Sequence, residues 1–304
     1  MRGRAAAIAL VVTGCSDFRV CPPVDEARLT ALPAALSATG LDGDDVIAFA
    51  PRFSLWIDGA TKRRWLRLPP GTRIDTRDPD AWQFPPGTRL WKELVRDGVR
   101  VETRMLERTA GGAWLAVAYV WEPAAGDAFM RPDGVVDAGG TRHDVPAADQ
   151  CGGCHGGTRS GVLGLSAIQL PTEQLDALVA RGLLTDPPPG PIELPGDATE
   201  QAALGWLHAN CGHCHHPDRP PAPSERCYDP RRAFDLSLRV GDLGAVETTG
   251  VYRTAIGDVI EPGEPGASRL LDRIERGAMP PLGHDDVDRD GAALVRRWIE
   301  RLAR

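Results

Sequence analysis

Ala209-Asn210-Cys211-Gly212-His213-Cys214-His215 is the stretch on which the reading of this 304-residue chain turns. It is a C-x-x-C-H motif, and Cys151-Gly152-Gly153-Cys154-His155 is a second. Two thiols three positions apart on one helical turn can form thioethers with the two vinyl groups on one side of a porphyrin. The next residue then turns its imidazole to the iron. The spacing therefore predicts two covalently bound haem c groups, one at Cys151 and Cys154 with His155, the other at Cys211 and Cys214 with His215. The rival is a four-cysteine zinc site. Its pairs normally lie about 12 to 20 residues apart, whereas here the gap is far longer and each pair carries a trailing histidine.

Upstream of the second motif, Asp197 and Glu200 make a capping-box start for a helix predicted to run to Asn210, straight into the cysteines. Downstream, Ser268 starts a short helix with Leu270, Leu271 and Ile274 on one side, stopped by Gly277. A last helix begins near Asp290. There Leu294, Trp298 and Leu302 recur every four residues with Val295 and Ile299 beside them, one apolar stripe facing inward. Between the two helices lies Gly277-Ala278-Met279-Pro280-Pro281-Leu282-Gly283. A methionine on a proline-stiffened loop in this setting resembles class I cytochromes c. That likeness makes Met279, 64 residues after His215, the expected sixth ligand of the second iron. Histidine and methionine together raise the reduction potential relative to two nitrogen ligands.

The first site is less defined. His155 is its expected proximal ligand; Met130, His143, His208 and His213 are distal candidates, beside an open or water-bound position. His216 and His284 read as peripheral. Asp286-Val287-Asp288-Arg289-Asp290-Gly291 resembles the start of a calcium loop, but its twelfth position, where a bidentate Glu belongs, is Arg297. It reads as a solvated turn capping the last helix.

The N-terminal half has another texture. Ala27 to Leu41 is helix-like, and a β-rich region follows from about Asp45 to Glu122. Ser54 to Ile57 and Arg64 to Leu68 flank Asp58-Gly59, a favoured tight-turn pair, and predict a hairpin. Arg89 to Val95 is a third strand. Val99, Val101, Thr103 and Met105 alternate with Arg100, Glu102, Arg104 and Leu106, as a half-buried strand does. Ala113 to Trp121 follows the Gly111-Gly112 turn, with Trp114, Ala116, Ala118 and Val120 on one face. Thr172 to Gly182 predicts a helix, and Asp186-Pro187-Pro188-Pro189-Gly190-Pro191 a stiff linker. The fold class is therefore α+β: an antiparallel β-rich domain over 45–148, a first haem-binding segment over 149–195, and a mainly α, cytochrome c-like region over 196–304.

At the start, Arg2 and Arg4, the apolar run Ala5 to Val12 and Thr13-Gly14-Cys15 read as an export signal over 1–14. The run is too short to span a bilayer as a mature helix. Small residues before Cys15 resemble a bacterial lipoprotein processing site, which implies a diacylated Cys15 anchoring segment 15–44 to a membrane on the periplasmic side. Of seven cysteines, Cys21 and Cys227 are left over, and an oxidising compartment invites a disulfide between them. The formal charge is −7, and −9 once Arg2 and Arg4 are removed. This balance argues against nucleic acid or an anionic membrane surface as partner and suits a basic redox partner.

With these motifs placed, the chain resembles a family of bacterial dihaem c-type cytochromes with a β-rich N-terminal module. The likeness runs through Pro51-Arg52-Phe53-Ser54, Lys62-Arg63-Arg64-Trp65, Leu68-Pro69-Pro70-Gly71-Thr72, Phe84-Pro85-Pro86-Gly87-Thr88, Lys92, Val101 to Leu106, Trp114 to Trp121, both C-x-x-C-H motifs, the Met279 loop and Trp298-Ile299. At Trp56 the module departs from the family's pattern. The resemblance implies electron transfer in the cell envelope between redox partner proteins, without naming donor or acceptor. Two other functions are compatible with the residues. One is a peroxidase-like dihaem enzyme with an open first haem; the other is a cytochrome whose β module docks it onto a dehydrogenase.

Overall fold

Period-two alternation of apolar and polar side chains builds six strands: β1 (Ile47–Phe49), β2 (Thr61–Arg67), β3 (Arg89–Arg96), β4 (Val99–Arg108), β5 (Trp114–Glu122) and β6 (Asp127–Met130). They form one antiparallel sheet in chain order, so every neighbour is joined by a local connection. The computed structural model describes residues 29–219, 230, 233–281 and 283–302. The export signal, Cys15 and the Cys21–Cys227 pair lie outside the described residues. Among those described, no helix is long and apolar enough to cross a membrane.

The expected meander is present, with one strand more at its end. Two local expectations fail. Asp58 (φ 45°) and Gly59 (φ 68°) do form a tight turn, but residues 54–57 do not pair with β2. Their backbone is claimed elsewhere: the Trp56 N–H donates to Asn210 Oδ1 at 2.7 Å, and Asn210 Nδ2 donates to the Ser54 carbonyl at 3.4 Å. β1 takes the place beside β2 instead. Of the helix expected over 27–41, residues 30–41 hold only a 3₁₀ turn at Leu36–Thr39. Pro33 has no N–H to give and its ring clashes with a preceding turn.

The sheet is covered on both faces, so the half-buried reading of β4 is also corrected. Trp91, Met105, Val117 and Tyr119 pack on one side against Leu29, Leu32 and Leu36. On the other side Leu66 and Leu90 pack with Trp82, Leu165, Leu175 and Leu178. The polar residues of that second face are buried too: Glu102 has no exposed surface. Its carboxylate is held by Arg104, at 2.9 Å to Nε and 2.6 Å to Nη2, and by His143 Nε2 at 2.7 Å.

Six helices follow among the described residues: α1 (Gly152–His155), α2 (Thr172–Ala180), α3 (Ala198–Leu207), α4 (Gly250–Thr254), α5 (Arg269–Glu275) and α6 (Arg289–Arg301). α3 starts as its sequence dictates. Asp197 accepts the N–H groups of Thr199 and Glu200, and Glu200 accepts that of Asp197. α3, α5 and α6 enclose a separate core in which Leu204, Leu207, Leu271, Val295, Trp298 and Ile299 are buried. The residues before α6 form a cap and no cation loop: Asp288 accepts the Gly291 N–H and the Trp206 indole N–H, while Asp286 pairs with Arg96.

The sheet and the helices are stitched by the stretch 51–58. Gly205 on α3 lets the Phe53 ring lie where any β-carbon would collide with it. Trp56 Nε1 donates to the Asp286 carbonyl at 2.8 Å, and Asp58 Oδ1 accepts the N–H groups of Asp285 and Asp286.

Candidate functional site

α3 does not end at Leu207. It widens into a π-helical turn over His208–Gly212, which carries Cys211. Such a turn shifts the side-chain sequence around the axis and is common at functional sites. The Cys214 and His215 N–H groups both donate to the Cys211 carbonyl, completing one compact loop. Phe234 stacks on the His215 ring at 4.8 Å between centroids, and the Leu236 N–H donates to the His215 carbonyl. The first motif forms α1, a single helical turn entered from Ala148–Gln150.

The structure brings the two motifs into direct contact. Cys214 Sγ lies 3.9 Å from the Gly153 carbonyl oxygen. The buried Arg219 guanidinium spans the pair, donating to Gly153 O at 3.0 Å and to His213 O at 3.1 Å. His216 Nε2 donates to the Gly157 carbonyl at 2.6 Å. His216 is therefore no peripheral group but a buried strut between the motifs. Gly157 is required by space. A β-carbon there would fall within overlap of Arg219 Nη1 and of the His213 carbonyl oxygen, and the carbonyl belongs to backbone that cannot rotate away. Gly157→Ala is expected to destabilise the fold by about 2–3 kcal/mol, the upper range for overpacking, read as a lowered urea midpoint.

Among the described residues four cysteines are unbridged: Cys151, Cys154, Cys211 and Cys214. Burial pushes the Cys151 thiol up to about 11 and those of Cys211 and Cys214 up to about 12. They are neutral thiols in the metal-free chain. Among the described residues no three His, Cys, Asp or Glu side chains converge as a metal-ion cage. The zinc reading thus has no geometric support.

A cavity of about 680 Å³ opens beside the first motif, walled by Cys151, Cys154 and His155, by the sheet face carrying Leu90 and Leu106, and by the end of α3. This lies within the roughly 300–1,000 Å³ of small-molecule sites. His155 Nδ1 is 2.9 Å from the Gly161 carbonyl, which can only accept, so Nδ1 holds the proton and the Nε2 lone pair is left for a metal. Burial holds His155 down to about 4, keeping the ring neutral. Cavity, paired thiols and tautomer together fit a covalently held macrocycle with an axial imidazole.

The four distal candidates separate. Met130 lies in β6 opposite Tyr119, and His143 is bound to Glu102; neither lines the cavity. His208 and His213 both do. His208 Nδ1 accepts the Leu238 N–H at 3.0 Å, so the proton of its neutral ring sits on Nε2, where it donates and does not ligate. His213 has a buried Nδ1 with no hydrogen-bond partner, and burial, then the charge of His155, pulls it down to about 3.

Met279 comes to the second motif. With Cys211, Cys214, His215 and Trp56 it lines a second cavity, which shares Leu55, Arg104, Cys154, His213 and Gly283 with the first. The donor set fits an iron macrocycle held by His215 and Met279, but the cavity between them measures only about 70 Å³. A macrocycle there would require the wall formed by Pro280, Pro281 and Gly283 to stand farther out. His284 braces that wall, its Nε2 donating to the Pro280 carbonyl at 2.6 Å. Sequence reasoning missed three parts of the site: Arg219, the Trp56–Asn210 bond and the role of His216. Only Trp56 carried a signal, as the point of departure from the family pattern.

Compared with known proteins, the chain matches no family model, no curated protein and no solved structure.

Proposed function

We propose that this chain is a dihaem c-type cytochrome that transfers electrons in the cell envelope. One haem would be held by Cys151 and Cys154 with His155, the other by Cys211 and Cys214 with His215 and Met279. The observation that carries the reading is convergence: Met279 shares a cavity with a motif 64 residues away, while the first motif abuts the second through Gly153 and Arg219. Bound haem supplies a one-electron couple, poised higher where a thioether sulfur is axial.

The chain's own residues do the rest. The Gly161 carbonyl orients His155, Phe234 and the Leu236 N–H hold His215, and the Arg219 clamp keeps the attachment points together. Export, a lipid anchor at Cys15 and redox partner proteins belong to the same proposal, resting on the N-terminal sequence pattern and the acidic balance.

A pyridine haemochrome assay on protein matured in a c-type haem-attaching host tests it: two haems per chain are expected, and zinc without haem would sink the reading. In the same preparation Met279→Leu is expected to abolish the thioether-to-iron charge-transfer band completely and lower the midpoint potential of one centre. An unchanged band would remove Met279 from the iron.

The size of the first cavity and the proton on His208 Nε2 favour a second reading, in which the first haem is open and reduces a small oxidant. A high-spin signal that shifts on adding cyanide supports it, and a fully low-spin, ligand-inert protein removes it. For the docking-module reading the described surface offers little: the large apolar side chains exposed there are Val136 and Val179.

A further inference from the structure

One row of the sheet is charged in a way a sheet does not tolerate by itself. In register, Arg64 of β2 pairs with Lys92 of β3, and Lys92 pairs with Arg104 of β4. Three cations thus stand side by side across three strands on one face, and like charges directly opposite each other repel. Lys62, two residues before Arg64, extends the same face. All three of the row line the large cavity beside the first motif.

Their compensation is incomplete. Arg104 has Glu102, but that carboxylate is already shared with His143. The side chains of Arg64, only 9% exposed, and of Lys92 make no hydrogen bond or ion pair with the described residues. Of the six carboxylates lining the cavity, Asp58 is committed to the Asp285 and Asp286 N–H groups, Asp80 to Val240, Asp144 to Asp137 and Asp218 to Arg239. Asp133 and Asp285 are exposed and make no ion pair with Arg64, Lys92 or Arg104. Burial, then Arg104 and Arg64, pull Lys92 well below the usual lysine range, and burial, then Arg64 and Arg104, lower Lys62 to about 8. Each cation stands at a cost that an anion between them would relieve.

We propose that Arg64, Lys92 and Arg104 form an anion site in the wall of the first cavity, recognising a carboxylate or a small oxyanion. Guanidinium forks flanking an ammonium suit two or three oxygens of one such group. The anion has two sources. It is a carboxylate carried by the cavity's own tetrapyrrole, which rests on the dihaem reading, or a free oxyanion from solution, which does not.

The test uses the full-length matured protein with its haem content measured, beside Lys92→Gln, Arg64→Gln and the control Arg276→Gln on the exposed end of α5. Sodium nitrite and sodium sulfate are titrated calorimetrically at low ionic strength, and the midpoint potentials are recorded. Saturable binding to the unmodified protein, weakened about tenfold or more in Lys92→Gln and unaffected in the control, assigns a free oxyanion. No binding, together with a potential shifted at one centre in Lys92→Gln or Arg64→Gln and not in the control, assigns a tetrapyrrole carboxylate. A protein that binds neither probe and keeps its potentials in both variants overturns the anion site, even with two haems present. If no haem is found the dihaem reading fails, and the titration alone decides the site.

Discussion

On the dihaem proposal, protein in which Cys211 and Cys214 are both serine is expected to carry one haem per chain in place of two. The helical half is expected to lose its cooperative unfolding with it. Cys214 is 8% exposed and packed under Gly153, and Cys211 packs against the core enclosed by α3, α5 and α6. Two serine hydroxyls in those places would each stand with poor partners, at about 1–3 kcal/mol apiece. The macrocycle they release would no longer bridge the motif to the Met279 loop. Haem content and the far-ultraviolet melting curve are read on the same sample. The matching variant with Cys151 and Cys154 changed to serine is expected to lose the other haem and to keep the thioether signature of Met279. Retention of both haems in either variant would contradict the assignment of that motif.

Glu102→Gln is expected to destabilise the protein by about 3 kcal/mol, the lower end for breaking one partner of a buried pair, since the Arg104 side chain keeps 20% of its exposure. A neutral amide would leave Arg104 in a row of three cations without its counter-charge. The pH dependence follows from the same contacts. Burial alone would raise the Glu102 carboxyl, but Arg104 and His143 outweigh it and hold it at about 2, below its ordinary 4.5. Its contribution is therefore full above about pH 4.5 and is lost as pH falls through about 2. Urea midpoints of the parent are expected to decline across that window through this group. Those of Glu102→Gln start lower and lack that component; equal midpoints for the two proteins at pH 7 would show the pair to be neutral in stability.

Local chemistry was the legible part of this chain. The cap at Asp197, the turn at Asp58-Gly59, the stripe through Trp298 and the two cysteine spacings each follow from residues within a few positions of one another. What depended on long-range pairing was not legible. Residues 54–57 read as a strand because their own pattern says so, yet Asn210 takes their backbone. Arg64, Lys92 and Arg104 look like ordinary outward polar residues of half-buried strands until the β2–β3–β4 register sets them in a row under a covered face. The distal candidates had the same difficulty, because sequence proximity to a motif says little about which ring nitrogen holds its proton. Leu238 decides that for His208 from 30 positions away.

The Gly153 carbonyl over Cys214, with Arg219 fastened across it, also has a meaning for biogenesis. A catalyst large enough to join a cofactor to that sulfur could not reach it once the first motif has docked. On the dihaem proposal, modification at the second motif must come first and closure second. A chain that folds faster than it is modified locks its own thiols away, so variants that accelerate folding would be expected to emerge from the cell less completely matured.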